Sequence, residues 1–409
     1  MENIELFTLC KYLCLNKNTT LLVMKLFDNT EIAFSLKSDS QLERAYFLFK
    51  MIESQPLVRI GAVVTNFALK AHLPVEGLIR STVFDHFCGG VTEEDCLPTI
   101  DRMYTEKVHA ILDYSVEGKE TEEQFDHALE KTLKTIEFAK EKASIPFAVF
   151  KPTGFGRFAL YQKITEGEVL SEAEKKEWSR VVDRYHTVCK AAEDKDVPLL
   201  IDAEESWMQT AADDLIEELM ALHNTKKAIV FSTLQMYRHD RLDYLQRLYK
   251  RACKKGFYIG MKVVRGAYME KERERAEEKG YPSPICKDKE ATDANYNAAI
   301  VYMMEQPKMA LFAGTHNEES SYMLMNLAKK HQIEPTDNRL WFGQLYGMSD
   351  HISFNLANED YNVAKYVPFG PVRDVMPYLI RRAEENTSVA GQTSRELSLI
   401  KSEKKRRKI

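Results

Sequence analysis

No apolar run in this chain is long enough to cross a bilayer as a helix. The first residues lack the basic region, sustained apolar core and small-residue cleavage site of a secretory signal. Metal motifs are missing as well. There is no His-Glu-x-x-His, and Asp202-Ala-Glu-Glu205 has no histidine cluster beside it. Cys10 and Cys14 form a close pair with no second pair or His-x-x-His to complete a zinc site, so no metal is expected. The 7 cysteines are scattered and odd in number, as in reduced, cytosol-type proteins. Gly154-Phe-Gly156 lacks the third glycine of a dinucleotide fingerprint, and neither the phosphate loop nor the Gly-x-Ser-x-Gly elbow occurs. A formal net charge of -5 gives no reason to expect nucleic acid as a partner.

What is present is an alternation. Short apolar runs at 108–113, 146–151, 198–202, 228–235, 257–265, 310–315, 340–344 and 363–368 are separated by amphipathic helical stretches. Thr121-Glu-Glu-Gln124 opens one helix with Phe125, Leu129, Leu133 and Ile136 on one face, and Ser171-Glu-Ala-Glu174 opens another as a capping box. Further helices are expected around 214–223, 240–255, 293–306 and 318–330. Strands alternating with helices imply parallel βαβ units, and eight such units can close into a (βα)8 TIM-type barrel.

Ahead of the barrel the sequence is helical. It predicts a helix over 40–56 capped by Ser40, a second over 57–72 stopped by Pro74, a turn at 85–90, and a helix opened by Thr92-Glu-Glu-Asp95. Met24 resembles a second start. The organisation read from these signals is an N-terminal extension over 1–40, a helical arm over 41–104, the barrel over 105–390 and a basic tail over 391–409.

In such barrels the carboxyl ends of the strands carry the site. Nearly every run here ends in a polar or ionisable residue: Asp113, Lys151, Asp202, Gln235, Arg265, Thr315, Gln344 and, before Pro368, Tyr366. The run ending in Arg265-Gly266-Ala267-Tyr268 is the sharpest, because Gly266 lets the backbone turn against a ligand and Tyr268 adds an aromatic face. Lys151 and the neighbouring Arg381 and Arg382 could clamp a small carboxylate, and Thr315-His316-Asn317 offers three kinds of hydrogen-bonding group to a cofactor. Cations and aromatics without a nucleophile suit redox chemistry on a bound cofactor.

Four stretches together carry a resemblance: Lys262-Val-Val-Arg-Gly-Ala-Tyr-Met-Glu-Lys-Glu272, Thr315-His-Asn317, Tyr366-Val-Pro-Phe-Gly370 and Arg381-Arg-Ala-Glu-Glu-Asn386. They resemble the proline dehydrogenase family, and the form expected is the monofunctional one, without an aldehyde dehydrogenase module. The resemblance implies a distorted (βα)8 barrel that holds FAD without a covalent bond. Its activity would be oxidation of L-proline to Δ1-pyrroline-5-carboxylate, the first step of proline catabolism toward glutamate, with electrons passed to a membrane quinone. It implies that Lys151, Arg381 and Arg382 hold the substrate carboxylate, that Tyr268, Leu345 and Tyr366 pack around the ring, and that Asp202 stands at the substrate end. Gln235, Lys262, Val264, Gly266, Ala267, Thr292, Thr315, His316, Asn317 and Glu385 would contact FAD. Lys262 stands where other branches have arginine, and Met269 where the bifunctional branch has an aromatic residue.

The expected location is cytoplasmic, or the matrix side of the mitochondrial inner membrane in a eukaryote. The tail Lys401-Ser-Glu-Lys-Lys-Arg-Arg-Lys408 is a candidate for weak peripheral contact with anionic lipid. The alternatives are a hydroxyproline dehydrogenase of the same fold and a non-catalytic amino-acid-binding barrel.

Overall fold

The computed structural model describes residues 26–53, 76–115, 120–388 and 392–409, with Pro56, Gly61, Thr65 and Gly118 between them. For Leu78, Ser81, 383–388 and Gln392 it describes the backbone alone. The Cys10–Cys14 pair, the start at Met24, the helix expected over 57–72 and the side chain of Glu385 lie outside the described residues.

Eight parallel strands form one sheet: β1 (Val108–Tyr114), β2 (Ala148–Phe150), β3 (Leu199–Ile201), β4 (Val230–Gln235), β5 (Ile259–Val264), β6 (Met309–Gly314), β7 (Leu340–Leu345) and β8 (Val363–Phe369). They are hydrogen-bonded in the order β1-β8-β7-β6-β5-β4-β3-β2. Each apolar run thus became a strand, with helices between them covering the outside. The barrel is not a closed ladder. β1 and β2 are its two ends, and where they meet, the Ala110 N–H bonds at 2.9 Å to the Ser144 carbonyl ahead of β2.

Alternation along the strands sorts the side chains. Ile111, Val149, Leu200, Phe231, Phe312, Trp341, Ala364 and Tyr366 share one interior cluster with Phe147 and Ala310. Their neighbours, such as Leu112, Ile201, Val230, Met261 and Val367, join the larger core beneath the helices. Space inside is tight enough to require glycine. A Cβ on Gly343 would stand 2.1 Å from Phe312 Cε1, and one on Gly260 would stand 2.5 Å from Phe231 Cγ. Each glycine makes room for an aromatic ring on the adjacent strand.

Helix starts follow their local chemistry. Thr92 with Asp95, Thr121 with Gln124 and Ser171 with Glu174 all form capping boxes. The arm helix runs Asp39–Ile52, and its cap is Ser38, not Ser40: Ser38 Oγ accepts the Gln41 N–H at 3.2 Å and Gln41 Oε1 accepts the Ser38 N–H at 3.0 Å. The turn expected at 85–90 begins instead as helix, Asp85–Phe87. The helix expected around 214–223 starts earlier, at Ser206, because Glu272 accepts both the Ser206 N–H and its hydroxyl at 2.6 Å.

Both terminal segments differ from expectation. The boundary at 40 falls inside packed structure, since Phe27 is buried against Tyr322, ring centroids 4.3 Å apart. The basic tail is a helix, Gln392–Arg407, whose Leu397, Leu399 and Ile400 pack with Ala33, Phe34, Leu42 and Phe49. Some of its charges are engaged within the protein, while Lys401, Lys405 and Lys408 are exposed. Arg407 donates to the Phe34 and Lys37 carbonyls at 2.8 and 2.7 Å, Arg406 pairs with Glu403, and Lys404 pairs with Glu43.

Gly343→Ala is expected to destabilise the fold by about 1–3 kcal/mol through overpacking against Phe312. Urea unfolding of the two proteins checks this, and an unchanged midpoint would contradict the packing.

Candidate active site

The alternation that fills the barrel also builds its mouth. Two residues beyond an interior position, the next side chain on the same face reaches the strand end. Thus Ile111 leads to Asp113, Val149 to Lys151, Leu200 to Asp202, Phe231 to Thr233 and Gln235, and Ala364 to Tyr366. All these strand-end residues line a single cavity of about 740 Å³. That volume lies within the range of ligand pockets, about 300–1,000 Å³.

At its floor the Lys262 ammonium pairs with the Asp202 carboxylate and donates to the Tyr366 hydroxyl at 3.0 Å, lying 4.6 Å from the centre of that ring. Burial pushes the Asp202 carboxyl up; Lys262 opposes the shift and the Asp113 carboxylate reinforces it. Burial also raises the Tyr366 phenol well above its ordinary value, so it stays protonated. The residue beside Tyr366, Lys365, points the other way. Its ammonium bonds the Met348 carbonyl and Asp350, both at 2.7 Å, and so pins the loop after β7 that follows Leu345.

The wall after β5 and β6 is a braced polar network. Arg265 donates to Asp293 at 2.6 Å, to Thr315 Oγ1 at 2.8 Å and to Ser320 Oγ at 3.0 Å, and it lies over the Tyr296 ring. Its charge is therefore engaged within the wall. Asn317 Oδ1 caps the helix Glu318–Lys330 by accepting the Ser320 N–H. His316 Nδ1 lies 2.9 Å from Ser349 Oγ, and burial, followed by the Lys365 and Arg382 charges, pushes this imidazole down to about 3, leaving it neutral. Gly266 takes φ +129°, and a Cβ there would stand 2.5 Å from the Tyr237 ring, so the turn ahead of Tyr268 requires glycine.

Of the residues singled out in the sequence, Lys151, Asp202, Gln235, Lys262, Val264, Gly266, Ala267, Tyr268, Thr315, His316, Asn317, Leu345, Tyr366, Arg381 and Arg382 all line this cavity. Thr292 does not. It sits on the helix Lys289–Met304, and its hydroxyl donates to the Asp288 carbonyl at 3.1 Å. The cavity also takes in Thr233, Tyr322, His351, Tyr378 and Arg395. Thr233 was legible, lying two residues before Gln235 on one strand face. Arg395 had no local signal, because its helix reaches the mouth only through packing on the N-terminal segment.

Below the mouth, Glu204 ties the loop after β2 to the loop after β3, accepting the Thr153 N–H at 2.9 Å and its hydroxyl at 2.7 Å. Burial pushes its carboxyl up to about 7, against those hydrogen bonds. A folded-state value above the unfolded one favours folding fully below the unfolded value, and that contribution is lost as pH rises through the folded value. Glu204→Gln removes the titration. Between pH 4.5 and 8, urea unfolding should show stability shifting in the variant's favour by a few kcal/mol. A difference independent of pH would contradict it.

A (βα)8 barrel with a charged, aromatic mouth defines the class. The family model described as proline dehydrogenase matches residues 96–395, and the chain belongs to that family and is an oxidoreductase of it. It is 37% identical over 355 residues to the carbapenem antibiotics biosynthesis protein CarD of Pectobacterium carotovorum subsp. carotovorum, covering 86% of this chain and 92% of that one. It is 31% identical over 416 residues to proline dehydrogenase 2, mitochondrial, of Arabidopsis thaliana, covering 90% and 87%. Among solved structures, proline utilization A of Bdellovibrio bacteriovorus superposes with a TM-score of 0.67 at 21% identity, over 90% of this chain. This chain spans 37% of that longer one, and the likeness shows the fold.

Proposed function

We propose that the cavity oxidises L-proline to Δ1-pyrroline-5-carboxylate with non-covalently bound FAD, passing the electrons to a quinone. One observation carries this reading: Lys151, Arg381 and Arg382 line the same cavity as the buried Asp202–Lys262–Tyr366 floor. Three cations lining one cavity would suit a single carboxylate, which guanidinium forks can bind in two-pronged fashion. Anchored there, a five-membered ring would lie among Tyr268, Leu345 and Tyr366, and the fixed orientation supplies much of the rate.

The donor set fits FAD. Gln235, Lys262, Val264, Gly266, Ala267, Thr315, His316 and Asn317 would hold it along the wall after β4, β5 and β6. A neutral His316 can present a ring nitrogen to the ligand while the other faces Ser349. The bound flavin supplies the hydride acceptor. The protein residues orient the substrate, and Lys262 and Asp202 fix the local field with one charge of each sign. Glu385 is kept as a proposed contact from the resemblance, and Thr292 would act only through its helix.

Proline is favoured over 4-hydroxyproline because the Tyr366 phenol takes up space at the cavity floor, where its oxygen accepts from Lys262. Destination toward glutamate, the quinone acceptor and a location beside a membrane rest on the family; the Arabidopsis relative is mitochondrial by name. Among the described residues no helix is long and apolar enough to cross a membrane. Weak peripheral contact with anionic lipid would fall to the exposed Lys401, Lys405 and Lys408 of the tail, since Lys404, Arg406 and Arg407 are engaged within the protein.

Steady-state turnover with a soluble quinone tests the reading. Proline should exceed 4-hydroxyproline in kcat/KM by about tenfold or more, and a preference for the hydroxylated ring would move the assignment to the alternative. Arg381→Met and Arg382→Met should each raise the KM for proline about 10²-fold, the effect of losing a charged hydrogen bond in a desolvated site. An unchanged KM in both would remove the carboxylate clamp.

A further inference from the structure

Resting on the substrate reading above, we propose that Glu272 is a positioning residue for the substrate pocket. It fastens the helix that follows Tyr268 to the helix that follows Asp202, and so sets the gap in which the substrate ring is held.

The composition of the helix Met269–Lys279 explains why it needs such a fastening. Its sequence, Met-Glu-Lys-Glu-Arg-Glu-Arg-Ala-Glu-Glu-Lys, has no apolar stripe, and only Glu272 and Ala276 are buried. The helix Ser206–His223, by contrast, seats Met208, Leu215, Ile216 and Leu219 in the core. A carboxylate and a methyl group bury too little apolar surface to anchor a helix, so polar ties hold this one. Glu272 is fully buried and accepts both the N–H and the hydroxyl of Ser206 at 2.6 Å. Burial pushes its carboxyl up, and the Ser206 bonds, followed by the Arg238 charge, oppose the shift.

Both ends of this tie lead to the cavity. Tyr268 stands immediately before the helix, and the Glu272 N–H donates to the Tyr268 carbonyl at 2.9 Å. Ser206 opens the next helix shortly after Asp202, where Glu205 gives no side-chain cap, so Glu272 fills the capping role from a distant part of the chain. Lys271 pairs with Glu205 at 3.0 Å and lies 5.6 Å from the centre of the Tyr268 ring, while Arg275 bonds Glu166 at 2.9 Å. Lys271 is exposed, and surface pairs contribute little, which leaves the solvent-free Glu272 bonds to decide where the helix sits. On the other side Glu204 joins the loop after β3 to Thr153. Two buried carboxylates thus link the loops bearing Lys151, Asp202 and Tyr268 into one rim.

The test compares the FAD-loaded wild type with Glu272→Ala, Glu272→Gln, Ser206→Ala and the double variant Ser206→Ala/Glu272→Ala. It reads the KM for proline and the Kd for cyclopentanecarboxylate, an unreactive ring carboxylate, from the change in the flavin's visible bands. FAD affinity and thermal melting serve as controls. Glu272→Ala should raise both the KM and the Kd about tenfold, because small misplacements of binding groups are costly, and change FAD affinity by less than about twofold. Glu272→Gln, which keeps the shape and one acceptor oxygen, should recover part of the loss; should the alanine variant not fold, Glu272→Gln and Ser206→Ala make the same comparison with smaller losses. The double variant should be no worse than Glu272→Ala alone, since both changes remove one tie. Unaltered Kd and KM in folded variants, equal losses of FAD and ring-carboxylate affinity, or additive losses in the double variant overturn the inference and leave the proposed function standing. Wild-type protein that takes up FAD yet binds neither proline nor cyclopentanecarboxylate overturns both.

Discussion

One buried contact organises this molecule: the Lys262 ammonium against the Asp202 carboxylate, beneath the Tyr366 hydroxyl. Removing water from two charges is costly, and their attraction offsets that cost only with close geometry and further hydrogen bonds. Removing one partner leaves an uncompensated buried charge, typically at a cost of about 3–5 kcal/mol. A pair so placed is weak evidence for stability and stronger evidence for function. It sets a field at the barrel mouth, where the oxidised ring and its acceptor would have to meet.

The architecture supplies the rigidity that the pair requires. β3, β5 and β8 bring Asp202, Lys262 and Tyr366 together from three separate chain regions, and the interior aromatic layer below prevents their collapse inward. Phe147 packs edge-on to Phe231, Phe312 and Trp341, with ring centroids 5.1–5.8 Å apart. Gly260 and Gly343 permit that layer to close. Above the floor, engagement of Arg265 by Asp293, Thr315 and Ser320 fixes the wall, while Lys365 fixes the loop after β7 from outside. The proposed substrate clamp and cofactor wall would thus stand on strands and on braced loops.

Much of this was legible in the sequence because the strand is short and its chemistry local. Each apolar run marked a strand, and the residue at its end marked the mouth, so Lys151, Asp202, Gln235 and Tyr366 could be placed before any contact was known. Capping boxes marked helix starts for the same local reason. The helix Asp350–Asn358 was not seen because residues 350–357 are all buried, which erases the amphipathic stripe. The start at Ser206 depended on Glu272, 66 positions away. That the tail is a packed helix was not seen because its basic composition hides Leu397 and Ile400, which decide its packing, while Lys401, Lys405 and Lys408 do face solvent. Arg395 belongs to the cavity for the same reason, through long-range docking that no local pattern encodes.

The most direct measurement is the anaerobic visible spectrum of the purified protein, supplied with FAD, before and after L-proline is added. The account predicts flavin bands that bleach on addition of L-proline. Bands that persist would contradict substrate oxidation at this cavity, and a protein that takes up no flavin would contradict the redox reading of the site.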